Sequence, residues 1–191
     1  MDIELVITWI CNWDCEYCAV DTHNQPAFNL SRKIDSIPQG SNVTLSGGEP
    51  GALSRKSILD IIDSLTKKGC ILSLNTNGTF LRKYPDLVDR FISILYHCTE
   101  DLDINDEILI GAYEYFIVVT DNNFGRLEAF LNKYPDIVFN IAGASNPIGM
   151  NNPILSQKNK YELLKRFSNR MTKESKLRAI IEKDFDAITY L

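Results

Sequence analysis

Six short runs of apolar and β-branched residues alternate along the chain with stretches of helical periodicity. Each run has the length and composition of a buried β-strand. The six are Glu4–Trp9, Asn42–Leu45, Ile71–Asn75, Phe91–Tyr96, Tyr115–Val119 and Ile137–Ile141. Strands that alternate with helices predict parallel pairing through right-handed crossovers. A closed eight-stranded barrel takes about 250 residues, so these six units predict an α/β fold, an open, partial six-unit (β/α) barrel.

Helix signals lie between the predicted strands and after the last of them. Apolar residues repeat at helical spacing after Ser54, a good N-cap type, and stop before Gly69. A second such segment follows Asp121, which is expected to cap it, and ends at Tyr134. A last, polar helix is predicted over residues 158–170. We expect residues 1–150 to form the barrel and residues 151–191 a basic helical extension packed on the same domain.

The bulk properties of the chain indicate an ordinary globular protein. Of its 191 residues, 45% are hydrophobic and 24% charged, which argues against disorder. No apolar run approaches the roughly 18 residues that span a bilayer. Residues 1–4 lack the basic and apolar regions of a signal peptide. We therefore expect a cytoplasmic protein without a membrane segment.

Three of the five cysteines stand within eight residues, directly after the first predicted strand. Cys11, Cys15 and Cys18 have the spacing C-x-x-x-C-x-x-C, and such crowding in a reducing cytosol indicates metal binding. Thiolates suit both iron–sulfur clusters and zinc. A structural zinc site takes four ligands, and His23 is the candidate for a fourth. Three cysteines on a four-iron cluster leave one iron open, so the count favours a catalytic cluster over a zinc site.

Two further motifs follow the second and third predicted strands. Residues 46–50 are Ser-Gly-Gly-Glu-Pro, and residues 75–79 are Asn-Thr-Asn-Gly-Thr. Together with the cysteine spacing and the aromatic Tyr17 before the third cysteine, they resemble the cluster, GGEP and TNG motifs of the radical S-adenosylmethionine (radical SAM) superfamily. The motifs cover residues 4–79, and residues 80–143 match only as a strand–helix pattern. The resemblance implies an open or closed (β/α) barrel, in a short member without an auxiliary cluster domain.

The same resemblance implies two cofactors, a [4Fe–4S] cluster on Cys11, Cys15 and Cys18 and S-adenosyl-L-methionine bound at its open iron. In this family an electron from the cluster cleaves the sulfonium reductively, and the resulting 5′-deoxyadenosyl radical abstracts hydrogen from a substrate. The protein positions the cofactor, so no catalytic side chain beyond the cluster is expected. Reduction of the cluster needs a low-potential donor, for which we expect an acidic, flavodoxin-like protein.

Eight residues are expected to bind the cofactor by this resemblance: Tyr17, Gly47, Gly48, Glu49, Pro50, Asn75, Asn77 and His97. The two glycines permit a close approach of backbone to ligand, Glu49 suits the cofactor's ammonium group, and Pro50 stiffens the turn. An ordinary turn is the alternative for this motif, a core contact is the alternative for Tyr17, and a structural histidine is the alternative for His97. The two asparagines bind ribose or carboxylate, or they form a turn.

The two remaining cysteines are expected at opposite ends of the sheet. Cys70 begins the third predicted strand, and Cys98 ends the fourth, on the side of the cluster. Neither belongs to a cysteine group able to hold a second cluster. Peptide-modifying members of the family with additional cysteine-rich domains are therefore expected to be poor models for this chain.

Two enzyme classes within the family suit so short a chain. One abstracts hydrogen from a large substrate, a protein or a nucleic acid, laid across an open barrel, as activating enzymes for glycyl radicals do. The other is small-molecule chemistry similar to 7-carboxy-7-deazaguanine synthase. That match is partial, because Asp21 and Thr22 follow the last cysteine at a distance and a segment before the cluster is missing. A third interpretation is a zinc-stabilised nucleic-acid-binding module without catalysis.

Positive charge is concentrated near the carboxyl end of the sequence. Residues 157–183 contain nine Lys or Arg and three Asp or Glu, a net charge of +6 in a chain whose net charge is −5. The functional interpretation is a docking surface for an acidic electron donor or for a nucleic acid. The alternative is a solvated helix face, with Leu163, Leu164 and Phe167 packed against the barrel.

Overall fold

A computed structural model describes residues 1–15, 18, 29–98, 102, 113–143 and 155–172. These residues fall into two compact units. The first contains residues 1–14, 29–97 and 113–114, and the second contains residues 15, 18, 98, 102, 115–143 and 155–172.

The first unit is built on four parallel strands that neighbour one another in chain order. They are β1 Asp2–Thr8, β2 Asn42–Gly47, β3 Ile71–Thr76 and β4 Ser93–His97. The connections carry three helices, α1 Leu30–Ser36, α2 Arg55–Lys67 and α3 Thr79–Lys83. Two 3-10 turns, Pro50–Ala52 and Pro85–Arg90, precede α2 and β4 respectively.

Alternation of side chains along these strands gives the sheet an apolar face and a polar face. The apolar row consists of register partners that are all buried, Leu5, Leu45, Leu74 and Ile94. Helix α2 packs on β3 and contributes three side chains without exposed surface, Ile58, Ile62 and Leu65. The polar row runs through Thr44, Ser73 and Ser93, and the last two hydroxyl oxygens are 2.9 Å apart. Burial of the apolar row therefore fixes which side chains remain on the other face.

The second unit contains β6 Phe139–Gly143 and, except for its first residue, β5 Glu114–Val119, and the two strands pair in parallel. Helices α4 Phe124–Lys133 and α5 Gln157–Phe167 follow these strands, and a 3-10 turn, Ser168–Arg170, extends α5. Ile117, Leu127 and Phe139 are fully buried. Helix α5 buries Leu163 and Phe167, so this helix has the apolar side that its sequence predicts.

The predicted α/β class and all six predicted strands are confirmed. Among the described strands β1 pairs only with β2, so the sheet is not closed on itself. The partial barrel remains a prediction, and so does the division of the chain at residue 150. Within the described residues, no helix combines the length and the apolar character that a membrane span requires.

Element boundaries follow local hydrogen bonds more closely than they follow the apolar runs. Strand β4 begins at Ser93 instead of Phe91, because the Phe91 N–H still donates to the Val88 carbonyl at the end of a 3-10 turn. The predicted cap of α2 is confirmed, since Ser54 Oγ accepts from the Ser57 N–H at 3.2 Å. Gly69 follows α2 with a φ of +69°, as the predicted helix end requires.

Candidate functional site

Three motif-bearing segments of the first unit follow β1, β2 and β3 directly. They are the cysteine segment (residues 8–14), the GGEP turn (residues 47–51) and the TNG turn (residues 75–80). Because the three strands are parallel neighbours, the segments emerge at the same edge of the sheet. The structure joins them to one another by direct hydrogen bonds.

The GGEP turn is bonded to the backbone immediately before Cys11. The N–H groups of Gly48 and Glu49 donate to the carbonyls of Thr8 and Ile10, at 2.7 and 2.8 Å. A Cβ on Gly48 would overlap the Ile10 carbonyl, and one on Gly47, whose φ is +115°, would overlap the Thr8 carbonyl. The close approach that requires these glycines is therefore made to the chain's own backbone, and their contact with a cofactor remains a prediction.

The carboxylate of Glu49 binds the GGEP turn to the TNG turn. Its Oε1 accepts from the Gly51 N–H at 2.8 Å, the Thr76 hydroxyl at 2.8 Å and the Phe80 N–H at 3.0 Å, and its Oε2 accepts from the Asn77 N–H at 2.8 Å. The side chain is only 1% exposed. Burial raises the pKa of Glu49, and the four donors oppose that shift. Contact with the cofactor's ammonium group remains a prediction for a carboxylate whose two oxygens already bind the chain.

Asn77 joins the TNG turn to the cysteine segment. Its Nδ2 donates to Asn12 Oδ1 at 3.0 Å and lies 3.9 Å from Cys11 Sγ. Its Oδ1 accepts from the N–H and the hydroxyl of Thr79, at 3.1 and 2.8 Å. The Trp13 N–H also donates to Cys11 Sγ, at 3.4 Å. These contacts complete a ring in which each of the three segments is bonded to the other two.

The three candidate ligands, Cys11, Cys15 and Cys18, are each half-buried. The N–H of Cys18 donates to the Cys15 carbonyl at 2.9 Å. No group of three or more His, Cys, Asp or Glu is gathered for a metal ion in the part of the chain that the structure describes. Assignment of the three cysteines to one cluster therefore remains a prediction.

The residues present fit an iron–sulfur cluster and a polar cofactor in their chemistry. Three thiols are the donor set of a cubane with one open iron. N–H groups directed at Cys11 Sγ are the outer contacts that a negatively charged thiolate requires. Ser46 Oγ, on a residue 4% exposed just before the GGEP turn, has no hydrogen-bond partner among the described residues. A polar group of a ligand would satisfy that hydroxyl.

The other predicted site residues lie as follows. Pro50 is buried and begins the 3-10 turn that leads to α2, and Asn75 is half-exposed at the end of β3. Burial lowers the pKa of His97, the last residue of β4, to about 4, so its imidazole is neutral at pH 7. Tyr17 and His23 lie outside the described residues. Binding of the cofactor by these residues remains a prediction.

The two other cysteines are buried. Cys70 lies directly before the amino end of β3, as its sequence position predicts. Cys98 follows β4, belongs to the second unit, and its thiol lies 3.5 Å from the Phe116 carbonyl oxygen. Burial raises the pKa of the Cys98 thiol to about 12, so it is protonated at neutral pH.

Sequence reasoning missed the residues that connect the motifs. Asn12 occupies a variable position of the cysteine spacing, and Thr8 and Ile10 take part through carbonyls that every residue possesses. Thr76 belongs to the TNG motif. Its hydroxyl group indicates that it can form a hydrogen bond, but the sequence does not show that the partner is Glu49. No periodicity or spacing identifies the partners of such groups.

Comparison with known proteins identifies the fold. No family model matches the chain. A curated relative, "Putative protein YfkA" of Bacillus subtilis (strain 168), is 27% identical in an alignment 106 residues long that covers 50% of this chain and 28% of the relative. Two solved structures of anSMEcpe, a radical SAM enzyme, are similar at 14% identity: a histidine-tagged form with bound AdoMet (TM-score 0.64) and a native form with bound AdoMet and Kp18Cys peptide (TM-score 0.63).

Each of these structural alignments covers 88% of this chain and 60% of the solved chain. The chain therefore spans less than two thirds of the proteins that it resembles. At this level of identity the likeness concerns the fold, and the chain has a radical SAM-like fold.

Proposed function

We propose that this chain is a radical SAM enzyme in which Cys11, Cys15 and Cys18 hold one [4Fe–4S] cluster that binds S-adenosylmethionine. The observation that carries the proposal is the ring of hydrogen bonds among the three motif segments, in a chain with a radical SAM-like fold. A cluster held by Cys11, Cys15 and Cys18 would supply the electron for reductive cleavage of S-adenosylmethionine, the chemistry by which enzymes of this kind abstract hydrogen from a substrate.

The chain's own residues bind and orient the cofactor in this proposal. The GGEP turn holds the backbone before Cys11, and the unpartnered hydroxyl of Ser46 is offered to a polar group of the cofactor. Asn75 and the neutral His97 provide hydrogen-bonding groups at the ends of β3 and β4. Tyr17 is proposed to lie against the adenine. Proton transfer by a side chain has no assigned part in this scheme.

For the substrate we propose a peptide or a protein segment. Two solved structures with the similar fold contain a bound peptide beside AdoMet. The polar row of the first unit, Thr44, Ser73 and Ser93, carries hydroxyl groups that suit the N–H and carbonyl groups of an extended peptide. The alternative is a small-molecule substrate, as in 7-carboxy-7-deazaguanine synthase, and the experiment must distinguish it from a peptide substrate.

Anaerobic reconstitution with iron and sulfide tests the cluster. Wild-type protein is expected to turn brown, to bind about four irons per chain and to cleave S-adenosylmethionine when dithionite is added. Cys15→Ala should lose the cleavage, whereas Cys70→Ala, altered at a buried cysteine before the amino end of β3, should retain it. Cleavage by Cys15→Ala, or a colourless protein that binds zinc, would contradict the proposal.

A deuterated cell extract tests the substrate class. The reconstituted enzyme is incubated separately with the protein fraction and with the small-molecule fraction, and deuterium in 5′-deoxyadenosine is measured by mass spectrometry. Transfer from the protein fraction alone is the expected result. Transfer from the small-molecule fraction alone would exclude a peptide substrate.

A further inference from the structure

Besides the bonds to Thr79 that form the TNG turn, the side chain of Asn77 contacts Asn12 and Cys11 in the cysteine segment. We infer that Asn77 is a positioning residue for the cluster: its amide fixes the cysteine segment through Asn12 and directs an N–H at the sulfur of Cys11, which raises the cluster's reduction potential. The inference rests on the proposed function, because it needs a cluster on Cys11. It assigns Asn77 a role toward the metal centre in place of the expected contact with ribose or carboxylate.

The orientation of the Asn77 amide is determined by its neighbours. The Asn77 N–H donates to Glu49 Oε2, which fixes the backbone of the turn. The side-chain oxygen of Asn77 accepts from both the N–H and the hydroxyl of Thr79. An N–H donor must face an acceptor, so the reversed amide would set its NH₂ group against the Thr79 N–H. The NH₂ group of Asn77 therefore faces the cysteine segment.

The NH₂ group carries two hydrogens, and two acceptors lie before it. Asn12 Oδ1 is 3.0 Å away, and Cys11 Sγ, which has a larger radius, is 3.9 Å away. Asn12 Oδ1 also lies 3.3 Å from the Thr79 hydroxyl oxygen, but the single hydrogen of that hydroxyl is donated to Asn77 Oδ1, so the Asn77 amide is what holds the Asn12 side chain to the TNG turn. Only 7% of Asn77 is exposed, and water competes weakly for these contacts.

Hydrogen bonds to sulfur are among the factors that set the potential of an iron–sulfur cluster. An N–H near a ligand thiolate stabilises the more negative, reduced state, and outer contacts of this kind also orient the ligand. The backbone N–H of Trp13 provides one such contact at 3.4 Å. A substitution of the Trp13 side chain does not remove this contact. Asn77 provides the side-chain contact, which a single substitution removes.

Asn77→Asp tests this role with little change in shape. Aspartate keeps the oxygen that accepts from Thr79 but replaces the NH₂ group with an oxygen, beside Asn12 Oδ1 and Cys11 Sγ. Asn77→Ala removes the donor without adding charge. Asn75→Asp, half-exposed two residues earlier on β3, adds an equal charge to the same segment and is the matched control. The measurement is the midpoint potential of the reconstituted cluster without S-adenosylmethionine, by redox titration monitored by electron paramagnetic resonance.

We expect both Asn77 variants to shift the potential downward, Asn77→Asp more than Asn77→Ala, and Asn75→Asp to shift it less than either. If a variant binds no iron, the melting temperature of the apo-protein decides. Lost iron at an unchanged melting temperature supports positioning of the cysteine segment, whereas lost iron with a lowered melting temperature means a structural turn residue and overturns the inference.

Wild-type potential with full iron content in both Asn77 variants also overturns the inference. In that case a wild-type enzyme that builds the cluster and cleaves the cofactor leaves the proposed function intact. If the wild-type chain builds no cluster, the proposed function has failed as well. The two failures are therefore distinguishable.

Discussion

At the scale of single residues, the motif residues form contacts with one another that their types alone do not reveal. The glycines of the GGEP turn are required by carbonyls of the cysteine segment, and Glu49 accepts four hydrogen bonds from within the chain. Each residue has the type that the sequence analysis associated with a cofactor. The structure gives a second reason why glycine and glutamate occupy these positions: they make the contacts that join the three segments.

Gly48→Ala should damage the cysteine segment. The new Cβ would overlap the Ile10 carbonyl, so the backbone before Cys11 must move. We expect a loss of about 1–3 kcal/mol in the free energy of unfolding, with reduced iron uptake on reconstitution. Gly125→Ala is the control, since nothing lies within 4 Å of a Cβ at that helical position. Urea denaturation measures the stability and iron analysis measures the iron uptake. A Gly48→Ala protein with normal stability would contradict the prediction, because the backbone near the Ile10 carbonyl would then accommodate a Cβ without loss of stability.

Glu49→Gln should also destabilise the first unit. Glutamine keeps the size of the side chain but replaces one accepting oxygen with an NH₂ group, which faces backbone N–H donors. Leaving buried donors without an acceptor costs about 1–3 kcal/mol. Glu128→Gln, at an exposed carboxylate paired with Arg166, is the control and should change stability by less than about 1 kcal/mol. Equal stability losses in the two variants would contradict a clamping role for Glu49.

His97 should make the stability of the chain dependent on pH. Its pKa in the folded state is about 4, below the 6.5 of an ordinary histidine, so between these values the unfolded chain binds a proton that the folded chain does not. Its contribution is full above about pH 6.5 and falls by about 3 kcal/mol as pH drops toward 4. Urea denaturation should show about 2 kcal/mol of this difference between pH 7.5 and pH 5, and His97→Gln should reduce it. If the stability of His97→Gln depends on pH as strongly as that of the wild type, the pH dependence arises from groups other than His97.

At the scale of elements, long-range side-chain bonds decide where helices end and what holds them. Asp121 is expected to cap the helix that follows it, but its carboxylate accepts from the Ser156 N–H and the side-chain amide of Asn159, both at 2.9 Å, and so holds the first residues of α5, whose N-cap is Ser156. Asn123 is the N-cap residue of α4. Arg170, expected in a docking surface, donates to the carbonyls of Leu131, Tyr134 and Ile137, at and beyond the end of α4.

Arg170→Gln should therefore destabilise the second unit. The guanidinium donates to the carbonyls of Leu131 and Tyr134 at the end of α4, where helical partners run out, and to the Ile137 carbonyl beyond it. A hydrogen bond to a charged group contributes about 1.5–3 kcal/mol, so a lowered melting temperature is expected. Lys165→Gln, at an exposed lysine near the Tyr161 ring, should leave the melting temperature nearly unchanged. Calorimetry of the two variants decides, and equal melting temperatures would contradict a structural role for Arg170.

At the scale of the whole molecule, the two units differ in what their sequences predict about function. The first unit contains the GGEP and TNG motifs and their contacts with the cysteine segment. The second contains the basic helix α5, whose charges are partly engaged, since Arg166 pairs with Glu128 at 2.6 Å. Lys158 and Lys165 are exposed. We propose that these two lysines attract an acidic, flavodoxin-like electron donor, while Lys173, Lys176 and Arg178 lie outside the described residues.

Replacement of both Lys158 and Lys165 with Gln should slow reduction of the cluster by such a donor. Attraction between exposed charges raises the rate of encounter and is screened by salt. Reduction by the donor should slow with added salt in the wild type and depend less on salt in the variant, while dithionite-driven cleavage stays unchanged. Stopped-flow measurement of cluster reduction checks this. Equal slowing with both reductants would exclude docking, and tight binding of nucleic acid at α5 would favour a nucleic-acid partner.

The sequence by itself determined the strands, both ends of α2 and the order of the three motifs. Apolar periodicity, Ser54 and Gly69 act within a few residues, so local composition was sufficient. Parallel order then placed the motif segments at one edge of the sheet. What only the tertiary structure decided is which groups pair there, because Glu49 and Asn77 are 28 residues apart and Asn77 and Cys11 are 66 apart. Pairs at such separations form only when the chain folds, since backbone carbonyls and amides carry no sequence signal of their partners.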